Sequence, residues 1–587
     1  MTADPTIGQL ASQAAAAELR ALADAFWDEF LAAHPTFATV MGDRRFDDQL
    51  EDLSPEARDA EIERLASTLA RAEMIDGSEL GDGDRVTRSM LIEEVGGRLE
   101  ALRTRVDEWS VNPIHGPHTW LLDLADYQVV ATPEDGLKMV ARWRAMGPQL
   151  DQAAEGLRRG MARGQVASVV PVERVVDVLR GLVATPAADW RLAGPAAEAH
   201  DDWPADALAA FRTELLAAVA DVVIPAFVCY LEALETEVLP AARPADRPGL
   251  LHVPGGELAY RALIRTHTTL DLEPSAVHET GLAEVERIDR EFEDLGATVL
   301  GVHGLEATLV ALRGDPALRF GTAEDVFAAA RDTLARAQAA LPAWFGLLPK
   351  AACEVVPIPR ETAPHQTLAY YAWPALDGSR PGRFYINLHA PETRPRYEAE
   401  ALAFHEAVPG HHLQIAIAEE LEGRPVFQRA LGSTAFAEGW GLYTERLADE
   451  MGLYTSDLDR FGILSFDAWR ACRLVVDTGM HALGWTRDEA IAFMRAHTAL
   501  GDNNIANEVD RYIAWPAQAL AYKLGQLEIL RLRALAEVRL GLAFYIRAFH
   551  DVVLGSGAVG LRTLAEIVEQ WIATQTPHDP TRSAAAG

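Results

Sequence analysis

The stretch Phe404-His405-Glu406-Ala407-Val408-Pro409-Gly410-His411-His412-Leu413-Gln414 decides how this chain is read, because it sets a histidine beside a glutamate and returns two histidines shortly afterwards. In the zinc-binding pattern H-E-x-x-H the histidines stand four apart. On a helix they then differ by only about 40° in direction and about 6 Å in rise, so both reach one metal. Here the partners lie six and seven residues after His405. On an unbroken helix His411 would point about 120° away, while His412 would face correctly but stand roughly 10.5 Å along the axis. Neither suits zinc, which holds nitrogens at about 2.0–2.1 Å. Pro409 has no N–H for the His405 carbonyl and Gly410 tolerates backbone angles closed to other residues, so a helix distortion is expected here. A bulge that absorbs two residues brings His411 into phase as second ligand. His412 is the alternative ligand, or else it lines the pocket and contacts substrate, or donates a hydrogen bond to a ligand.

A catalytic zinc takes three protein ligands and leaves one position for water. Ala435-Phe436-Ala437-Glu438-Gly439-Trp440-Gly441-Leu442-Tyr443-Thr444-Glu445 begins a helical pattern, and Glu438 lies 27 residues after His411. That distance suits a helix tail, a loop and a return helix, so Glu438 is the expected third ligand. Gly439 and Gly441 weaken a helix, which makes sense where a backbone must approach something closely. Glu445, about two turns on, reads as a surface group or one that orients a ligand. Glu406 follows a ligand directly and is the natural general base.

A hydrolytic site also needs a donor for the oxyanion. Downstream, Tyr512 and Tyr522 stand ten apart, with Arg511 able to grip a carboxylate through two hydrogen bonds. Arg473, Asp477 and His481 form one stripe of a helix. Asp477 is expected to orient a metal-bound histidine and His481 to face the oxyanion, unless the stripe is an interhelical polar network. Cys353 to Leu388 is the segment that reads as sheet, with strands at 354–358, 368–371 and 383–388 around a Gly/Pro-rich turn. Asn387 is its polar residue expected to face substrate.

The elements His405-Glu406, Gly410-His411 and Glu438 resemble those of the gluzincin metallopeptidases, whose helical members often read H-E-x-G-H followed by a small residue and Leu. More closely, the chain resembles a bacterial family of predicted metallopeptidases catalogued as domain of unknown function 885. That similarity runs through Leu263-Ile264-Arg265-Thr266-His267-Thr268-Thr269, Tyr385-Ile386-Asn387-Leu388, the H-E-A-V-P-G-H-H segment and Trp515-Pro516-Ala517-Gln518-Ala519-Leu520-Ala521-Tyr522-Lys523. The resemblance implies one zinc ion with His411 as second ligand, and a tyrosine, here Tyr522 ahead of Tyr512, as oxyanion donor. It also implies a mainly α, two-lobed gluzincin-like fold with a small β-sheet beside the metal-site helix. An edge of that sheet would pair with an extended peptide.

The 587 residues can bury a deep site. Against 87 Asp and Glu stand 53 Lys and Arg, a net charge of −34, which repels phosphate backbones and anionic lipid and argues against nucleic acid and membrane as partners. Three scattered cysteines, Cys229, Cys353 and Cys472, imply no disulfide framework. The opening Met1-Thr2-Ala3-Asp4-Pro5 reads as no secretory signal, so a cytoplasmic location is expected. The longest apolar run, Leu215 to Leu231, is interrupted by Asp221 and Pro225 and reads as a buried helix. Ala-rich stretches such as 14–30, 55–72 and 86–106 carry helical periodicity. Prolines at 240, 244 and 248 and Gly249 mark a boundary between an N-terminal helical lobe, 1–240, and a catalytic lobe, 250–587, with a looser alternative near Pro349. The first functional reading is a zinc-dependent hydrolase of peptide or related amide bonds. A metal-dependent amidohydrolase acting on a small non-peptide amide would use the same residues, and a helical binding protein without catalysis would leave the site idle.

Overall fold

Alanine-rich segments with apolar residues three and four apart fold as helices along nearly the whole chain. The computed structural model describes residues 5–575 apart from 361–362, 364–366 and 375–379, and only the backbone of residues 5–8 and 11. Long helices occupy Pro5–Ala33, Pro55–Met74 and Asp82–Thr104, where periodicity predicts them. Their ends follow local chemistry. Ser54 caps the second by accepting from the Ala57 N–H, with Pro55 at the first helical position. The protein is mainly α, with one small sheet among the described residues.

Apolar side chains gather into cores that are interleaved in sequence. Residues from Val111 to Val238 form one core around Trp143, Trp190 and Phe227. A larger core joins residues 15–99 to residues 320–572, so the first long helices pack with the segment that carries His405 and His411. The apolar run 215–231 lies within one long helical stretch, 205–241, that is apolar and long enough to cross a membrane. Contrary to the expectation of a buried helix, it is covered on one side only. Leu215, Val219, Val223 and Phe227 are buried in the first core, whereas Leu216 and Val228 are exposed.

The sheet comprises β1 (Cys353–Pro357), β2 (Ala369–Ala372) and β3 (Gly382–Ile386), within a residue or two of the expected strands. Its order is β1-β3-β2, with β3 central, parallel to β1 and antiparallel to β2. Phe384 and Ile386 face the core from alternate positions of β3. Asn387, just past the strand, is buried and does not face a cleft. Its Nδ2 donates to the carbonyls of Ala363 and Thr367 at 2.7 and 3.1 Å, and its Oδ1 accepts from the His389 N–H. It ties the connection back onto the sheet instead of presenting itself to substrate.

Two helices meet closely beside the His405–His411 segment, Thr434–Glu450 and Ala521–Leu540. A Cβ on Gly525 would fall 1.8 Å from the Ala435 carbonyl oxygen, and one on Gly439 would fall 2.4 Å from the Gly525 backbone. Only glycine on both faces permits this contact.

Candidate metal centre

The helix that carries His405 runs from Ala399 to Glu406 and stops there. Ala407 turns out of helical geometry at φ −105°, ψ −102°, and Gly410 at φ −77°, ψ −127° starts a new helix, His411–Glu419. The expected two-residue bulge is therefore a full break, with residues 407–410 forming a turn that the His412 N–H closes onto the Ala407 carbonyl. Gly410 is required because a Cβ there would sit 1.9 Å from the His405 carbonyl oxygen. The break folds His411 back onto His405, with ring centroids 4.7 Å apart and planes at 85°.

The return helix grips this turn from three points. Trp440 Nε1 donates to the Pro409 carbonyl at 2.9 Å, Thr444 Oγ1 to the Phe404 carbonyl at 3.2 Å, and Glu445 Oε1 accepts from His405 Nδ1 at 2.8 Å. Gly441 lies under the His405 ring, where a Cβ would come within 2.7 Å of Cε1. Both glycines after Glu438 thus serve close approaches, one to a backbone and one to an imidazole.

Three ligand-type atoms converge at the junction. Glu438 Oε2 lies 3.5 Å from His405 Nε2 and 3.6 Å from His411 Nε2, and a ligand atom from each of the three residues lies within 4.8 Å of the others. A tetrahedral centre with bonds of 2.0–2.1 Å separates its ligands by about 3.3 Å. The donor set of two imidazoles and one carboxylate therefore fits a zinc-sized cation. The electrostatics have the same sense. Burial would push the His405 imidazole down, but its contacts with Glu438 and Glu445 outweigh that and raise it to about 9. Burial would raise the Glu438 carboxyl, yet the two histidines hold it well below the usual carboxylate range. Glu406, half-buried, ends the first helix directly beside His405.

Other expected residues are spent elsewhere. His412 is neither ligand nor substrate contact, because its Nδ1 pairs with the Tyr371 hydroxyl at 2.8 Å and its Nε2 with the Ala351 carbonyl at 3.2 Å. Those bonds dock β2 and the residues before β1 against the helix of His411. Asp477 does not orient a metal histidine. It accepts from the Tyr260 hydroxyl at 2.5 Å and from the Ala517 N–H, and the carboxylate that holds His405 Nδ1 is Glu445. His481 accepts from the Leu250 N–H at 3.2 Å and pairs through Nε2 with the Tyr512 carbonyl at 3.0 Å, so it joins helices and faces no oxyanion.

The two tyrosines separate sharply. The Tyr512 hydroxyl accepts from Trp469 Nε1 and Arg473 Nε and donates to Glu508, at 3.0, 2.9 and 2.8 Å. Its capacity is exhausted, which removes it as an oxyanion donor. Tyr522 makes no hydrogen bond to a described residue through its hydroxyl, and its ring is clamped by the guanidinium groups of Arg473 at 4.5 Å and Arg470 at 5.7 Å. Arg511 donates to Gln518 Oε1 at 2.8 Å, lies 3.5 Å from Glu508 and sits over the Trp515 ring.

No curated protein matches the chain. Among solved structures it is similar to one described as the putative lipoprotein from Colwellia psychrerythraea, with 28% identity and a TM-score of 0.87 over 96% of this chain and 99% of that one. A second, described as a putative lipoprotein of unknown function from Shewanella oneidensis, shares the fold at 17% identity and a TM-score of 0.75, over 93% of this chain and 99% of that one. The family model described as "Bacterial protein of unknown function (DUF885)" matches residues 35–568, and the chain belongs to that family.

Proposed function

We propose that the chain is a gluzincin-like metallohydrolase that binds one zinc ion through His405, His411 and Glu438 and cleaves peptide or related amide bonds. The observation that carries this reading is the convergence of two Nε2 atoms and a carboxylate oxygen at 3.5 and 3.6 Å, close to the separation that tetrahedral ligation demands. A divalent cation held there would act as a Lewis acid toward water and the scissile carbonyl.

The chain's own groups then have distinct tasks. Glu406 accepts a proton from the attacking water on its carboxylate and passes it to the leaving amine. Glu445 accepts the Nδ1–H of His405, which fixes the tautomer that leaves a lone pair on Nε2. Tyr522 donates its O–H to the oxyanion, the role for which its uncommitted hydroxyl suits it and for which Tyr512 has no capacity left. Strand β2, an edge of the sheet held to the metal helix by the Tyr371 to His412 bond, offers an extended peptide a backbone to pair with. We place the protein in the cytoplasm, in keeping with its three free cysteines, one of them exposed. Cell fractionation tests that placement, which differs from the lipoprotein descriptions of the two solved neighbours.

The deciding experiment measures zinc by elemental analysis beside hydrolysis of a peptide mixture and of small amides. The expected result is about one zinc per chain, peptide cleavage that stops on chelation, and loss of metal in His405→Ala and Glu438→Ala, because two remaining ligands hold zinc weakly. A Glu438→Ala protein that keeps metal and activity would place the third ligand elsewhere. Cleavage of small amides alone would favour the amidohydrolase reading.

A further inference from the structure

Arg470 stands on the helix Arg460–Ala482, one turn before Arg473, and is 6% exposed. A guanidinium carries five N–H donors and a fixed positive charge, yet this one makes no hydrogen bond and no ion pair to a described residue. Its Nε and Nη1 are closed off without a partner, and Nη2 is the nitrogen that keeps open surface. The rings of Trp469 and Phe466 lie against the group at 4.3 and 4.7 Å. They hold it in place and use none of its N–H bonds.

Its neighbours tie Arg470 to the metal junction. The guanidinium carbon is 5.7 Å from the centre of the Tyr522 ring. Burial raises the carboxyl of Glu445, the partner of His405, and the charge of Arg470 opposes that rise. Glu398, which feels the same charge, is likewise raised by burial and is taken by the Ser465 hydroxyl at 2.6 Å. Arg473 lies over Tyr522 at 4.5 Å, and Arg473 and Arg511 share Glu508 at 2.9 and 3.5 Å. Among the described residues, Glu508 is the one carboxylate within 4 Å of the charged end of any of these three arginines. Burial would raise its carboxyl, yet Arg473 and Arg511 hold it below the usual range. A single negative charge thus answers three positive ones, in a protein whose net charge is −34. A buried charge without a partner is costly, and this surplus is completed by an anion that comes from outside the chain.

We propose that Arg470 binds the C-terminal carboxylate of the peptide through Nη2, with the charges of Arg473 and Arg511 drawing that carboxylate toward the metal junction, so that the chain cleaves peptides close to a free C-terminus. This rests on the metallopeptidase reading, under which that carboxylate is the anion every unmodified peptide carries. Arg511 has turned its donors to Gln518 and Glu508, whereas the open donor of Arg470 is uncommitted.

The test uses the full chain after metal removal by chelation. Its readouts need neither metal nor turnover, so they succeed or fail apart from hydrolysis. N-acetyl-alanyl-alanine, its C-terminal amide and N-acetyl-aspartyl-alaninamide are titrated by calorimetry. The free acid is expected to bind at one site per chain, about tenfold or more tighter than the plain amide, the worth of a charge-assisted hydrogen bond. The aspartyl amide, whose carboxylate sits on a side chain, should bind no better than the plain amide. Equal affinity for free acid and plain amide, or preference for the aspartyl amide, overturns the proposal. Arg470→Met should bring the free acid down to the level of the amide without lowering the melting temperature, because no hydrogen bond or ion pair is lost, and Arg470→Lys should restore part of the preference. A preference unchanged in Arg470→Met overturns the proposal and leaves Arg470 a packing group on Trp469. A diazirine analogue of the free acid, photolysed on the unsubstituted protein and mapped by mass spectrometry, gives an answer that does not depend on the variants folding. Labelling within residues 466–473 or 508–522 supports the site, and labelling confined to other residues overturns it.

Discussion

The junction around His405 and the stripe of Arg473, Asp477 and His481 are both buried polar clusters on helices, one beside the core of Phe404 and Trp440 and the other beside the core of Cys472 and Val476, yet they use their hydrogen-bonding capacity in opposite ways. In the stripe nearly every polar atom is spent on the protein. Asp477 takes Tyr260 and Ala517, His481 takes Leu250 and the Tyr512 carbonyl, and Arg473 takes Tyr512 and Glu508, leaving only Nη1 without a partner. At the junction the protein instead satisfies the far side of one ring, through His405 Nδ1 to Glu445, and leaves two Nε2 atoms pointed at one carboxylate oxygen. Capacity closed on itself marks structure. Capacity that converges on a shared point marks a place for something the chain does not itself provide.

The largest expected effect tests the convergent cluster. Glu406→Gln keeps the side-chain shape and leaves all three ligands in place, so zinc content should stay near one per chain while peptide turnover falls about 10²–10⁴-fold, the contribution of a general base. Full activity in this variant would break the contrast, because the convergent cluster would then have no reactive partner.

The tyrosines carry the same contrast within one segment. Tyr522→Phe should lower kcat by about 10²–10³-fold with little change in KM or melting temperature, as expected for removal of an oxyanion donor. Tyr512→Phe strips a saturated hydroxyl from Trp469, Arg473 and Glu508 and should cost about 1–3 kcal/mol of stability with kcat retained. Kinetics and thermal melts of the pair decide, and reversed roles would show that hydrogen-bond saturation does not separate structure from catalysis here.

A smaller effect distinguishes the carboxylates. Glu445→Gln should weaken zinc binding about 10–100-fold against a competing chelator, since the histidine it orients loses its anionic partner. Asp477→Asn should leave zinc affinity unchanged and shift only the melting temperature. Metal affinity that responds equally to both would merge the two clusters into one network.

Much of this contrast is legible in the sequence, and the part that is not has a physical reason. His405, Glu406, His411 and Glu438 can be singled out because ligand chemistry restricts residue type and spacing, and Pro409-Gly410 announces a distortion because neither residue continues a helix normally. The form of that distortion, a break and not a bulge, depends on Trp440, Thr444 and Glu445, which grip the turn from more than thirty residues away. Tyr512 and Tyr522 look alike in one dimension, since the partners that saturate Tyr512 include Trp469 and Arg473 on another helix. The strands follow from local composition. Their order does not, because the parallel pairing of β1 with β3 depends on a connection that passes through β2. His412 shows the same limit at its simplest. Adjacent to His411 in sequence, it turns away because Tyr371 and Ala351 claim both of its nitrogens.

Arg511 gives the smallest expected effect and the finest test. The sequence suggests a guanidinium free to hold a substrate carboxylate, whereas the structure engages it with Gln518 and Glu508 and lays it over Trp515. If those internal contacts are its work, Arg511→Ala should reduce hydrolysis of free-acid and amidated peptides by the same modest factor, through loosening of the Trp515 ring that it covers. If it instead grips substrate, two charge-assisted hydrogen bonds are lost with free acids alone, at roughly 1.5–3 kcal/mol each, and the loss on free acids should exceed that on amides by more than about tenfold. The ratio of kcat/KM for matched free-acid and amidated peptides, compared between the parent chain and the variant, separates the outcomes. A selective loss would move Arg511 out of the closed network and into the substrate site, and would show that a side chain with internal partners can exchange them for a ligand.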